Sequence, residues 1–189
     1  MSGSRGPLAL SVVAPVYNER ENLAPLVDEL LGVLRPAGMP FEVLLVDDGS
    51  TDGSTQGIEG LAAAEPEVRG VYLKNNRGQS AAFDAGFKSA RGETVVTIDA
   101  DLQNDPRDIP KLLDALTGHA AAVGFRATRQ DRLVRRISSK IANAVRNRLS
   151  GDDIIDTGCS LKAFRADALG SSVPAVASFG CIVWSSPLQ

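Results

Sequence analysis

The sequence predicts an α/β fold, a doubly wound and mostly parallel sheet with flanking helices, and three observations predict it. Short runs of apolar, β-branched residues recur along the chain almost without charge, longer segments of helical spacing separate them, and acidic or polar stretches follow the runs. A run that is apolar throughout suits a strand covered on both faces, and strand-helix alternation repeated four times implies βαβ crossovers.

The elements follow in order. Leu10 to Ala14 is the first run, and Pro15-Val16-Tyr17-Asn18-Glu19 leads from it into a helix. Leu23, Leu26, Val27, Leu30, Leu31 and Leu34 give that helix one apolar stripe, and Asn18 is the expected cap. Phe41 to Val46 is the second run, followed by the turn Asp47-Asp48-Gly49-Ser50-Thr51-Asp52-Gly53, where Ser50, Thr51 or Asp52 should cap the next helix. Val71 to Leu73 is the third, followed by Asn75-Asn76-Arg77-Gly78 and a small-residue helix with Ala81, Ala82, Ala85 and Ala90. Thr94 to Ile98 ends at Asp99-Ala100-Asp101-Leu102-Gln103, with Asp105 and Asp108 near the start of a further helix. Ala120 to Val123 is the fifth run.

With 189 residues, 43% hydrophobic and 23% charged, the chain has the size and composition of one ordinary domain with a real core. A net charge of −3 provides no general attraction for nucleic acid. Two cysteines, Cys159 and Cys181, exclude a disulfide scaffold, and a lone His119 excludes a multi-histidine metal centre. Any bound metal must then have oxygen ligands. Met1 to Pro7 has no apolar segment of the secretory type, which predicts a cytoplasmic location. The best membrane-spanning candidate, Val173 to Trp184, is too short and carries Pro174 and Gly180.

In open α/β sheets, ligands lie beyond the C-terminal ends of the strands. Asp99 and Asp101 are expected there on one side, with Ala100 opposite. Two carboxylates so close are tolerated beside a divalent cation, and Mg2+ or Mn2+ prefers such oxygens, to which Gln103 can add a carbonyl. An isolated Asp-x-Asp is more often a solvated loop or a helix cap. Here other candidates converge on it. Asp47, at a strand tip, can accept from a base N–H or a ribose hydroxyl, with Asp48 beside it; Tyr17 offers a ring and Glu19 an acceptor. Gly78 permits close backbone approach before a helix. No Gly-x-Gly-x-x-Gly follows the first strand and no Walker lysine is present, so side chains and metal must hold any nucleotide.

Ala14-Pro15-Val16-Tyr17-Asn18-Glu19, Val46-Asp47-Asp48-Gly49-Ser50-Thr51-Asp52 and Asp99-Ala100-Asp101-Leu102-Gln103, in this order, resemble a family 2 glycosyltransferase of GT-A fold. Val123-Gly124-Phe125-Arg126, Arg135-Arg136, Ser139-Lys140 and Asp156-Thr157-Gly158-Cys159 narrow the resemblance to polyprenyl-phosphate glycosyltransferases, including dolichyl-phosphate mannosyltransferase and the undecaprenyl-phosphate aminoarabinose and glucose transferases. It covers about residues 8 to 167. The resemblance implies a domain over 8–167 and an atypical uncharged tail over 168–189. It implies that Pro15, Tyr17, Glu19 and Asp47 hold the nucleoside of a sugar-nucleotide donor, with Asp48, Gly78 and Ala100 in the donor site. Asp99, Asp101 and Gln103 would bind the metal on its diphosphate. Arg126 and Arg136 would meet phosphates, and Asp156 stands where related transferases place a catalytic carboxylate.

Arg126 to Arg148 contains eight basic residues and a single acid, Asp131. Leu133, Ile137, Ile141, Val145 and Leu149 recur every four positions, with Arg132, Arg136 and Lys140 on an adjoining stripe. A helix over 132–149 would then be basic and amphipathic. Alone it reads as a docked helix with a solvated basic face; with the family resemblance it reads as a contact for anionic headgroups and a polyprenyl phosphate, at the cytoplasmic face of a membrane. Cys159 reads as a structural thiol, since no base accompanies it. No charge occurs between Ala168 and Gln189, where the resembling proteins continue with a basic diphosphate clamp, and this predicts weakened or absent transfer by the chain. The alternatives are a saccharide hydroxyl as acceptor, a module that binds donor without transfer, and a phosphotransferase of haloacid-dehalogenase type. The last would need a nucleophilic aspartate after the first strand, where Pro15-Val16-Tyr17 stands. The residues leave homo-oligomerisation open.

Overall fold

The computed structural model describes residues 8–124, 160–169 and 181–183. Its strands are β1 (Leu8–Val16), β2 (Phe41–Asp47), β3 (Val68–Tyr72), β4 (Gly92–Thr97), β5 (Ala121–Val123), β6 (Lys162–Arg165) and β7 (Cys181–Val183). The helices are α1 (Arg20–Leu34), α2 (Ser54–Ala64), α3 (Gln79–Ser89) and α4 (Ile109–Leu116). All seven strands form one sheet in the order β3-β2-β1-β4-β6-β5-β7. β1 pairs in parallel with β2 and β4, β2 with β3, and β5 with β7; β6 runs antiparallel to both β4 and β5.

Side-chain alternation divides the core into two layers. Val12, Ala14, Val43, Leu45, Val96 and Ile98 face one side, against the α1 stripe, Ile58 of α2 and Ile109 and Leu112 of α4. All six predicted α1 stripe residues are buried, because 3.6-residue periodicity puts them on one face. On the other side Val13, Leu44, Val46 and Val95 pack against Ala82 of α3. Phe87 of α3 meets Phe164 of β6 edge to face, with ring centroids 6.1 Å apart.

Several strands differ from the sequence expectation, β3, β6 and β7 most of all. β3 begins at Val68, not Val71, since Val68, Arg69 and Gly70 pair with Val43, Leu44 and Leu45. Charged Arg69 masks that extension in a hydropathy pattern. β6 is also new: Lys162 and Arg165 flank Ala163 and Phe164, and only pairing on both edges makes this segment a strand. β7 continues the sheet into the segment beyond residue 167.

Candidate active site

The chain order turns around at β1, with β2 and β3 to one side and β4 to the other, so a crevice opens where β1 and β4 adjoin. There the strand ends enclose a cleft of about 330 Å³. Pro15, Tyr17 and Glu19 enter it from the β1 end, Asp48 from the β2 end, Asn76, Gly78 and Gln79 from the segment joining β3 to α3, and Asp99, Ala100 and Asp101 from beyond β4. Tyr17 keeps 47% of its surface exposed, so its ring is available for stacking.

Hydrogen bonds between loops fix this arrangement. Asn18, at φ 57°, is not the cap of α1 that the sequence suggests. Its Oδ1 accepts from the Thr51 amide at 2.8 Å and its own amide donates to Ser50 Oγ at 3.0 Å, so it joins the β1–α1 loop to the β2–α2 loop. The first amides of α1 are satisfied from that loop: Glu19 N donates to Ser54 Oγ at 3.1 Å and Arg20 N to Asp52 Oδ2 at 3.1 Å. Asp52 Oδ1 also accepts from Ser54 N at 2.9 Å, at the start of α2. The Ser54 hydroxyl, with the Arg20 and Ser54 amides, holds the Asp52 carboxyl below its ordinary range.

The next connection is made by Asp48, which is 3% exposed. Its two carboxylate oxygens accept from the amides of Arg77 and Gly78, each at 2.8 Å. Gly49 makes this approach feasible. Its φ is +72°, and a Cβ there would stand 2.7 Å from the Asn76 nitrogen. The last connection runs from α3 to the far side of the cleft, where Gln79 Nε2 donates to Asp99 Oδ1 at 2.7 Å.

Asp99 and Asp101 lie on a turn, because β4 stops at Thr97, and Ala100 lines the cleft with them instead of facing away. Asp101 Oδ1 accepts from the Gln103 amide at 3.1 Å, and Leu102 between them has φ 60°. Gln103 itself lines a neighbouring depression between α1 and the 102–107 loop, together with Glu29 and Asp105. Asp47 is buried behind the cleft: Oδ1 accepts from Ser50 N at 2.9 Å and Oδ2 from the Thr55 hydroxyl at 2.5 Å. Asp105 caps the turn before α4, accepting from Arg107 N at 2.9 Å. Arg126, Arg136, Asp156, Cys159 and the 132–149 helix lie outside the described residues. Gln79 is not marked by any sequence motif, although it directly follows the glycine singled out for close backbone approach.

The cleft brings together the carboxylates of Glu19, Asp48, Asp99 and Asp101, and no basic side chain among the described residues lines it. A pyrophosphate entering such a field needs cationic neutralisation. The donor set has the oxygen chemistry that a hard divalent ion prefers: Asp99 and Asp101 accept the hydrogen bonds above at Oδ1, so Oδ2 of each could serve as a ligand, with phosphate oxygens and water completing the shell. Among the described residues no group of three or more His, Cys, Asp or Glu side chains is placed to hold a metal ion.

A strand-end cleft on this sheet is the architecture of GT-A glycosyltransferases. The fold is similar to glucosyl-3-phosphoglycerate synthase from Mycobacterium tuberculosis in complex with phosphoglyceric acid, at TM-score 0.66 and 20% identity over 85% of this chain and 57% of that one. It is also similar to a mannosyltransferase from Pyrobaculum calidifontis in complex with GDP-Man and Mn2+, at TM-score 0.59 and 26% identity over 87% of this chain and 46% of that one. The chain belongs to glycosyl transferase family 2, whose model matches residues 11–171. It is 45% identical over 159 residues to an undecaprenyl-phosphate 4-deoxy-4-formamido-L-arabinose transferase from Pectobacterium carotovorum subsp. carotovorum (strain PC1), covering 82% of this chain and 48% of the relative. The protein of that name from Pseudomonas fluorescens (strain SBW25) is 42% identical over 158 residues, with 82% and 46% covered. The chain thus spans about half the length of the curated relatives it matches. No helix among the described residues is long and apolar enough to cross a membrane.

Proposed function

We propose that the chain serves an inverting glycosyl transfer from a UDP- or GDP-linked sugar to a polyprenyl phosphate of undecaprenyl or dolichyl type, with Mg2+ or Mn2+. The observation that carries this reading is that Asp99 and Asp101 line one cleft with Tyr17 and Glu19 at the turning point of the sheet. The names of the 45% and 42% identical relatives support an undecaprenyl phosphate acceptor and a 4-deoxy-4-formamido-L-arabinose donor group. The GDP-mannose and Mn2+ held by the 26% identical mannosyltransferase support a metal-assisted nucleotide site.

On this reading Pro15, Tyr17 and Glu19 hold the nucleoside, with Asp47 supporting the loop behind it and Asp48, Gly78 and Ala100 shaping the donor site. Asp99 and Asp101 hold the divalent ion, which when bound neutralises the charge growing on the departing nucleoside diphosphate. Gln103 reaches it only if the 102–107 loop turns toward the cleft. The acceptor phosphate, with a second pKa of about 6, is largely ionised at neutral pH and needs alignment more than a base. One of its oxygens bonds to the anomeric carbon as the bond to the diphosphate breaks, and the electron pair leaves with the nucleoside diphosphate. Arg126 and Arg136 are assigned to phosphate alignment and Asp156 to the acceptor or the positive charge on the sugar. The 132–149 segment is assigned to the cytoplasmic membrane surface, beside the lipid.

Calorimetry with UDP- and GDP-sugars, with and without Mn2+, tests the donor half. One nucleotide should bind with strong metal dependence, and Asp101→Ala should weaken that binding at least about tenfold. Binding that is indifferent to Mn2+, or unchanged in Asp101→Ala, overturns it. Offering undecaprenyl phosphate and a saccharide side by side tests the acceptor half; sugar appearing only on the saccharide refutes the lipid phosphate.

A further inference from the structure

We propose that Gln79 is a positioning residue for the metal-binding carboxylate, the last member of a relay that begins at Asp48. The proposal rests on the reading of Asp99 as a metal ligand. Three contacts carry it. Asp48 is buried and spends both oxygens on backbone amides, those of Arg77 and Gly78, each at 2.8 Å. It therefore works as a clamp on the residues that open α3, more than as an open acceptor for a ligand. Gln79 is the first residue of α3, and its backbone directly follows the clamped Gly78. From there its side-chain amide reaches across the cleft to Asp99 Oδ1 at 2.7 Å.

An amide N–H is a fixed, neutral donor. It engages one carboxylate oxygen, sets the plane of the carboxylate, and leaves the other oxygen for an ion without opposing the charge of that ion. A Lys or Arg donor at the same place would neutralise Asp99 and compete with a cation. Asp101 has a different support, the backbone amide of Gln103 on its own turn at 3.1 Å, so the two carboxylates accept from separate donors. Residues that aim metal ligands in this way typically change metal affinity by about 10- to 100-fold.

The test uses the full chain and Mn2+, titrated by electron paramagnetic resonance in the presence of saturating UDP or GDP, whichever binds. Gln79→Met, of similar length with no donor, should weaken Mn2+ by about 10- to 100-fold. Its thermal midpoint should stay within error, and its metal-free nucleotide affinity should fall far less than its Mn2+ affinity. Gln79→His, which keeps an N–H at comparable reach, should recover most of the loss. Unchanged Mn2+ affinity in Gln79→Met overturns the proposal, as does a parallel loss of metal-free nucleotide binding, which would indicate a general disturbance of the cleft. Wild-type chain that binds no Mn2+ with either nucleotide overturns the metal reading of Asp99 itself, and is thereby distinguished from failure of the relay.

Discussion

At the scale of single residues, the cleft is held by side chains that do double work as local caps and long-range connectors. Asn18 is the clearest case. Its φ of 57° is a conformation in which side chains other than Asn, Asp and Gly are strained, and its Oδ1 satisfies the Thr51 amide from the adjacent loop. Two substitutions separate these contributions. Asn18→Gly keeps the backbone conformation accessible and removes the side-chain hydrogen bonds with Thr51, at a cost of about 1 kcal/mol, and Asn18→Ala adds backbone strain of about 1 kcal/mol more. Urea denaturation of the two variants measures the difference; equal stability would mean that the backbone conformation carries no strain. The sequence marks Asn18 as a cap because it precedes a helix, and it is wrong about the recipient. The donor it satisfies lies 33 residues away, and nothing local encodes that.

At the scale of elements, α3 matters most to the site, since it bears Gln79 at its start and packs on the sheet through its smallest residues. Ala82 and Gly86 are its buried positions. A Cβ on Gly86 would overlap Val13 Cγ1 and come within 3.2 Å of Val46 Cγ2, both in the closed core. Gly86→Ala should therefore destabilise by about 1–3 kcal/mol even though Ala is the better helix former. Val13→Ala combined with Gly86→Ala should regain part of that loss, because the removed methyl groups leave room for the new one. Thermal unfolding of the single and double variants checks both statements, and additive losses would contradict the packing account. The sequence marks this helix only by its small residues, and the structure supplies the sheet face that it packs on. β3 and β6 were harder to read, because Arg69, Lys162 and Arg165 interrupt the apolar runs that announce buried strands.

At the scale of the whole molecule, the two ends of the sheet have opposite chemistry. The C-terminal ends carry the open acidic cleft, whereas the opposite end is tied by one buried carboxylate. Glu42 of β2, 1% exposed, accepts from Ser11 of β1 at 2.8 Å, from Arg69 of β3 at 2.6 Å and from the Arg91 guanidinium and amide before β4. Burial pushes the Glu42 carboxyl up, and the hydrogen bonds from Arg91, Arg69 and Ser11 together outweigh it and hold the group below its ordinary value of 4.5. The folded state thus binds the proton less readily than the unfolded chain. Stability from Glu42 is fully present above that ordinary value and is lost as pH falls below it, through the folded value. Glu42→Gln should cost about 2 kcal/mol at pH 7, less than a fully buried pair because Arg69 and Arg91 are 38% and 51% exposed. Its stability should also fall less steeply than wild type in acid. Urea midpoints measured from pH 7 to pH 3 test both, and parallel profiles would remove Glu42 from the acid response.

What the sequence by itself determined is the alternation of strands and helices, the α1 stripe and the acidic segments at the strand ends. Periodicity and strand termination are local properties, so residues a few positions apart suffice to reveal them. Only the tertiary structure decided that Asp48 grips the β3–α3 segment, that Gln79 donates to Asp99 from 20 residues away, and that β6 enters between β4 and β5. Those outcomes depend on which loops and edges meet after the sheet has formed, and the burial of both sheet faces is what forces the meeting.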